Sequence, residues 1–358
     1  MTHTRMSLGC AVVALSSAAC TASFQDGIVR DVVEEQVATP SAVDLDQPGL
    51  QALVCGSGGP LPAPERAAAC IAVVAGGRIY VVDVGAGSSE NLGRWRLPMD
   101  RLAGVLLSHF HSDHITELGE YNLQSWAAGR ATPLPVYGPQ GVEKVVDGFN
   151  LAYEQSRGYR TAHHGADFLD PDVGLLAPHP FPIGPDAKPG TEVVVLEHDG
   201  LVIRAFSVAH EPVAPAVGYR FDYRGRSVVI TGDTSASPAV AHAAKKADVL
   251  FHDAMAHHLI AVANEAAREG GRERNERITA DIPEYHASAV EAAEIANQAD
   301  VKLLVLYHLV PPPPSYLVET VFLRGVDDVR ERGVILASDG LLLQLPPDSG
   351  AIDQSMVD

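Results

Sequence analysis

Between residues 104 and 119 the chain reads GVLLSHFHSDHITELG, which places His109, His111, Asp113 and His114 within six positions. Imidazole and carboxylate together suit a divalent, zinc-like ion, and a catalytic ion needs a coordination position left open for water. In a turn, alternate residues point the same way. His109 and His111 therefore converge on one ion, while Asp113 and His114, a step further on, are free to face a second. Two ions roughly 3.5–4 Å apart share a hydroxide and clamp the attacking and leaving oxygens of a hydrolysis. Such a site needs more than four ligands, and the chain offers more where predicted strands end: His210 closes FSVAH, Asp233 closes VVITGD and His308 closes LLVLYH. Taken singly, each histidine would be ordinary strand-end polarity and Asp233 an ordinary turn residue. As a set they complete a binuclear site with Asp233 as the bridge.

The elements that must carry these residues alternate between strand and helix signals from about residue 48 onward. CIAVVAGGRIYVVDVG reads as a hairpin turning at Gly76-Gly77, and further hairpins turn at Asp199-Gly200 and Arg224-Gly225. RLAGVLLS is a short buried strand with the histidine cluster just past its end. Helix SPAVAHAAKKA, strand ADVLFHD, helix HASAVEAAEIANQA and strand VKLLVLYH follow, so mixed sheets covered by helices are expected. The stretch from about 143 to 190 is rich in Pro, Gly and His and lacks strong periodicity, which predicts a long insertion or lid beside the site. The prolines of VPPPPSYLVETVFLRG, directly after His308, are placed to wall one side of a cleft.

Composition bounds the rest. The 358 residues suffice for one large domain or two ordinary ones, and 46% hydrophobic with 20% charged residues reads as globular. The net charge is −19 and no basic run occurs, which disfavours a grip on nucleic acid. MTHTRMSLGCAVVALSSAAC has an apolar stretch too short to span a bilayer and reads as an export signal over residues 1–20. Cys20 is a candidate lipid-carrying residue, and cleavage near Ala19 with no anchor is the alternative. Residues 21–46 read as a tether, 47–347 as the folded domain and 348–358 as a C-terminal tail. Only Cys55 and Cys70 remain for the mature, periplasmic or secreted chain, where an oxidising compartment permits a disulfide.

The order H-x-H-x-D-H, then His, then Asp, then His, spread over roughly residues 50 to 345, resembles the metallo-β-lactamase superfamily. The resemblance implies the α/β (α+β) class as an αββα sandwich, two mixed β-sheets with helices on the outer faces. It also implies two Zn2+ ions per chain, with Mn or Fe as substitutes. One ion is held by His109, His111 and His210 and the other by Asp113, His114 and His308, with Asp233 bridging. Within the superfamily, LVCGSGGPLPAPERAAAC resembles the glycine-rich opening followed by an arginine of the ribonuclease Z and arylsulfatase-like branch. ITADIPEYHASAVEAAEIA resembles that branch's segment carrying an extra histidine, here His286, ahead of a helix. That implies His286 near the leaving group as general acid, with Asp113 orienting the nucleophile as well as binding metal.

This sequence also departs from the branch. Ribonuclease Z carries a tRNA-gripping arm between the third histidine and the bridging aspartate, whereas only one hairpin fits between His210 and Asp233. Ala287 stands where the branch has Ser or Thr after the extra histidine. The expected function is thus hydrolysis of small phosphodiester or sulfate esters by a metal-bridging hydroxide. The small-molecule ester would be the only partner apart from a membrane reached through Cys20, and a homodimer is compatible with the sequence. Lactone or amide hydrolysis on the same metals is the main alternative. A ribonuclease Z-type endonuclease and a catalytically silent surface binding module are the others. His252, beside Asp253, is a candidate to support the site from behind, and NEAAREGGRERNERITAD reads as solvated surface.

Overall fold

The computed structural model describes residues 25–31, 33–34 and 38–357. The export signal and Cys20 lie outside the described residues. The chain divides into two units, residues 1–41 and 42–358. In the first, residues 25–31 and 33–34 are helical and exposed, where a tether was expected.

The second unit is built on two sheets. Its first half runs β1 (Leu50–Gly56), β2 (Cys70–Ala75), β3 (Arg78–Val82), helix α1 (Ser88–Arg94), β4 (Leu102–Leu106), helices α2 (Ser112–Ile115) and α3 (Leu118–Ala127), β5 (Leu134–Gly138), helices α4 (Val142–Ala152) and α5 (Glu154–His164), and β6 (Leu176–Pro180). The second half runs β7 (Glu192–His198), β8 (Leu201–Ser207), β9 (Val217–Tyr223), β10 (Arg226–Ile230), α6 (Pro238–Ala243), β11 (Val249–Met255), α7 (His257–Glu269), α8 (Glu273–Asp281), α9 (Ala289–Gln298), β12 (Leu303–Val310), α10 (Tyr316–Phe322), α11 (Val326–Val329), β13 (Val334–Leu336), β14 (Leu341–Leu345) and β15 (Asp353–Met356). One sheet has eight strands in the order β15-β14-β1-β2-β3-β4-β5-β6, the other seven in the order β13-β12-β11-β10-β9-β8-β7. Each begins as an antiparallel meander and continues in parallel, through β3–β6 and through β10–β13.

Alternation explains the layering. In β2, Ile71 and Val73 enter the core between the sheets, while Cys70, Ala72 and Val74 face the helices outside. In β12, Val305 and Tyr307 point inward, and Leu304 and Leu306 pack against the opposite helical layer. A strand buried on both faces must be apolar throughout, which is why these segments read as unbroken hydrophobic runs. The three predicted hairpins form with both turn residues at positive φ, among them Asp199 at 48° and Gly200 at 83°. The result is the αββα sandwich, two mixed sheets with helices outside.

Several boundaries move. Val43 and Leu45 are buried and the Ala42 N–H donates to Trp95 O, so the fold starts five residues earlier than residue 47. The 348–358 stretch is not a loose tail, because β15 extends the first sheet by pairing with β14. The 143–190 stretch holds α4, α5 and β6, whose pairing with β5 makes it the sheet's other edge. Pro178 and Pro180 sit in that edge strand, where a missing N–H is tolerated. Cys55 and Cys70 form a disulfide across β1 and β2, with Cα atoms 5.0 Å apart.

Candidate metal centre

The carboxyl ends of the inner strands of both sheets meet in one cleft. Past β4, Ser108 and His109 turn into the sandwich. His111 sits at the extended residue that precedes α2, and Asp113 and His114 stand on that four-residue helix. From the other sheet, His210 follows β8 by three residues and Asp233 follows β10. Gly232 has φ +63° and lies where a Cβ would come 2.7 Å from the Ser108 Cβ, so only glycine turns Asp233 into the cleft at this approach. His308 does not end its strand as expected. It is the extra residue of a β-bulge inside β12, where Asp253 pairs with Tyr307 and Ala254 with Leu309, and its φ is +46°. The bulge re-aims the side chain out of the sheet plane.

All seven predicted ligands are brought together. His109, His111, His210 and Asp233 form one group whose ligand atoms all lie within 4.8 Å of one another, and Asp113, His114 and His308 form a second. Asp233 lies between them: its Oδ2 is 3.8 Å from His109 Nε2, 4.0 Å from His210 Nε2 and 3.3 Å from His114 Nε2, and its Oδ1 is 3.3 Å from His308 Nε2. Ring nitrogens face one another, His109 Nε2 to His111 Nδ1 at 2.9 Å and His114 Nε2 to His308 Nε2 at 3.2 Å. His210 Nε2 and Asp233 Oδ1 are buried with no hydrogen-bond partner. Converging imidazole nitrogens and orphaned buried acceptors fit a cation between them, since leaving such groups unpaired is costly. The cluster is a divalent-metal site.

Surrounding groups fix the tautomers. Asp83 Oδ2 is 2.9 Å from His114 Nδ1 and also accepts from the Ser108 hydroxyl, while Asp83 Oδ1 accepts from the Ser108 N–H. The His210 Nδ1–H donates to Tyr285 O at 3.0 Å. His286 Nδ1 lies 2.9 Å from Asp253 Oδ2, and the His252 Nδ1–H donates to the Asp253 backbone carbonyl at 2.8 Å. Burial pushes His109 well below the usual imidazole range. Burial would lower His114 too, but the Asp233 and Asp83 carboxylates hold it well above that range. At His286, burial again pulls down, and the hydrogen bond to Asp253 together with the Asp233 charge raises it. For Asp233, burial is outweighed by His308 and His114, so its carboxyl lies well below the usual range.

Sequence reading passed over Asp83, named Asp253 only as a neighbour of His252, and gave Tyr285 no role. Asp83 had a visible signal, because it directly follows the apolar strand β3, much as Asp233 comes shortly after β10. A cavity of about 980 Å³ opens at Ser112, Asp113 and Thr116 and runs along the 59–68 loop to Trp95. Its proline wall is Pro60, Pro62 and Pro64; the prolines after His308 do not line it, and neither does any residue of 143–190.

The Beta-lactamase superfamily domain model matches residues 80–309. The chain belongs to this superfamily. It is 35% identical over 265 residues to the ribonuclease Z of Mycobacterium marinum, covering 73% of this chain and 87% of that protein. Among solved structures it is similar to the metallo-beta-lactamase fold protein YhfI of Bacillus subtilis (TM-score 0.56, 21% identity, 82% of this chain and 98% of that one). The short form of human tRNase Z gives a TM-score of 0.57 at 20% identity, over 83% of this chain and 99% of that one. The chain is a metal-dependent hydrolase of this superfamily, acting on ester bonds.

Proposed function

We propose that this chain is an exported, binuclear zinc hydrolase of small phosphodiester or sulfate esters. The observation that carries the reading is the two ligand groups with Asp233 lying between them, and His286 held beside them by Asp253. When bound, the ions supply a water-derived nucleophile at neutral pH and polarise the ester. The chain's own residues do the rest. His109, His111 and His210 would hold one ion and Asp113, His114 and His308 the other, with Asp113 also placed to orient the nucleophile. His286 keeps Nδ1 on Asp253, which leaves Nε2 to protonate the departing oxygen. The substrate body occupies the cavity that opens at Asp113.

The relatives' name points to RNA as the second reading. Against it, residues 211–232 hold only the β9–β10 hairpin, and the chain carries a net charge of −19. The cavity lining includes Glu65, Glu90, Asp113 and Asp339 against Arg66 and Arg94, a poor match for a polyanion. Export is supported by the Cys55–Cys70 disulfide, a bond that persists in oxidising compartments.

The test is metal analysis of the mature protein with an activity panel of aryl phosphodiester, aryl sulfate, lactone, β-lactam and precursor tRNA substrates, each run with and without chelator. About two zinc ions per chain and chelator-sensitive diester or sulfate cleavage are expected. Turnover of lactone or β-lactam alone would move the reaction to carbon esters and amides, and cleavage of precursor tRNA in preference to every small ester would restore the ribonuclease reading.

A further inference from the structure

Tyr285 stands next to the proposed general acid, and its side chain has no part in the chemistry described so far. Its ring is half-buried, with its centroid 5.0 Å from that of His286 and 5.5 Å from that of His210. These are the separations of packed aromatic rings. The backbone here is tied on both sides. Tyr285 O accepts from His210 Nδ1, the Ala287 N–H donates to Thr234 O, and the Met255 N–H donates to Ala287 O. The short helical turn Ile282–Glu284 leads into it. The ring is thus a fixed, partly open wall against a metal-site histidine and the acid.

We propose that Tyr285 is a specificity-determining residue, the surface against which a planar aromatic leaving group packs, so that aryl esters are preferred over alkyl esters. The inference rests on the general-acid reading of His286. An acid delivers its proton to the leaving oxygen, and this fixes which end of the substrate lies beside Tyr285. Its backbone carbonyl, not its side chain, holds His210, so Tyr285→Ala removes the wall and leaves that ligand's tether in place.

The experiment measures, by calorimetry on the zinc-loaded protein, binding of phenylphosphonate and methylphosphonate, neither of which requires turnover. The wild-type protein should bind the phenyl ligand about three- to tenfold more tightly, the worth of one aromatic contact. Tyr285→Ala should bring the ratio near one, and Tyr285→Phe should keep it. No phenyl preference in the wild type, no measurable phenylphosphonate binding, or an equal loss of both ligands in Tyr285→Ala with the ratio intact would each overturn the proposal. A preserved phenyl preference with no ester turned over would sink the hydrolytic reading and leave the wall standing. Diester turnover without any phenyl preference would do the reverse.

Discussion

His114 and His286 each turn one ring nitrogen toward the cleft because a buried carboxylate takes the other. Asp83, 1% exposed, is spent wholly on His114 and Ser108. Replacing Asp83 by Asn puts an amide N–H where an acceptor is needed, which frees the His114 ring to rotate. Metal affinity measured by chelator competition should fall about 10–100-fold; an unchanged affinity would mean that packing alone orients His114. His286→Ala should keep the metal yet lose about 100-fold or more in kcat on esters with poor leaving groups, and less on activated aryl esters. Equal losses across leaving groups would remove the general-acid role. The ligands were legible because their chemistry is written in local spacing, H-x-H-x-D-H, and in strand ends. Asp253 was not, because it acts through His286, which only the fold brings near, and Tyr285 was not, because only the fold sets its ring beside His210.

At the scale of elements, the disulfide closes the loop that lines the cavity. Cys55 and Cys70 are separated by 15 residues, and Gly59–Ala68 lie between them. The loop is also pinned from inside. Arg66 donates to Ser57 Oγ and Ala337 O and pairs with Glu319 at 2.8 Å, and Asp339 accepts from the Ser57 and Ala67 N–H groups. Opening a loop of this length to the unfolded chain's freedom costs about 3 kcal/mol. Reduction, or the Cys55→Ser/Cys70→Ser pair, should lower the unfolding midpoint and raise KM, because the loop lines the cavity, and it should also lower kcat, because Gly59 packs against the His308 ring. A midpoint indifferent to reductant would show that the Arg66 and Asp339 network holds the loop unaided. Hairpins were readable from Gly-Gly, Asp-Gly and Arg-Gly pairs, whose backbone needs leave little choice. The α4–β6 stretch was not, since α5 buries no residue and so shows no apolar stripe. Nor was β15, whose DQSM is exposed throughout and owes its extended form to pairing with β14.

Over the whole molecule, the sandwich gathers its seven candidate ligands at one end of β10 and carries an ion-pair clasp at the other. Arg226 begins β10, and its Nε donates to Asp248 Oδ2 at 3.0 Å while its other nitrogens reach Pro346 O and Ala351 O. Asp248 also accepts from Lys302 Nζ at 2.7 Å and from the Ser227 N–H. The clasp thus ties the parallel half of one sheet to the segment that delivers β15 to the other. Burial alone would raise the Asp248 carboxyl, but the bonds from Arg226, Lys302 and Ser227 outweigh it and hold it below the usual carboxylate value. A depressed folded pKa means that the charged form is favoured on folding. The stabilisation is therefore fully present above about pH 4, the value in the unfolded chain, and disappears as pH falls through the lower folded value. Asp248→Asn should cost on the order of 3 kcal/mol at pH 7, because it leaves the nearly buried Arg226 without its charge partner. Thermal melts of both proteins from pH 8 to pH 3 should show a constant gap in midpoint down to about pH 5 that narrows below pH 4. A gap as wide at pH 3 as at pH 7 would place the stabilisation in packing rather than in the ion pair.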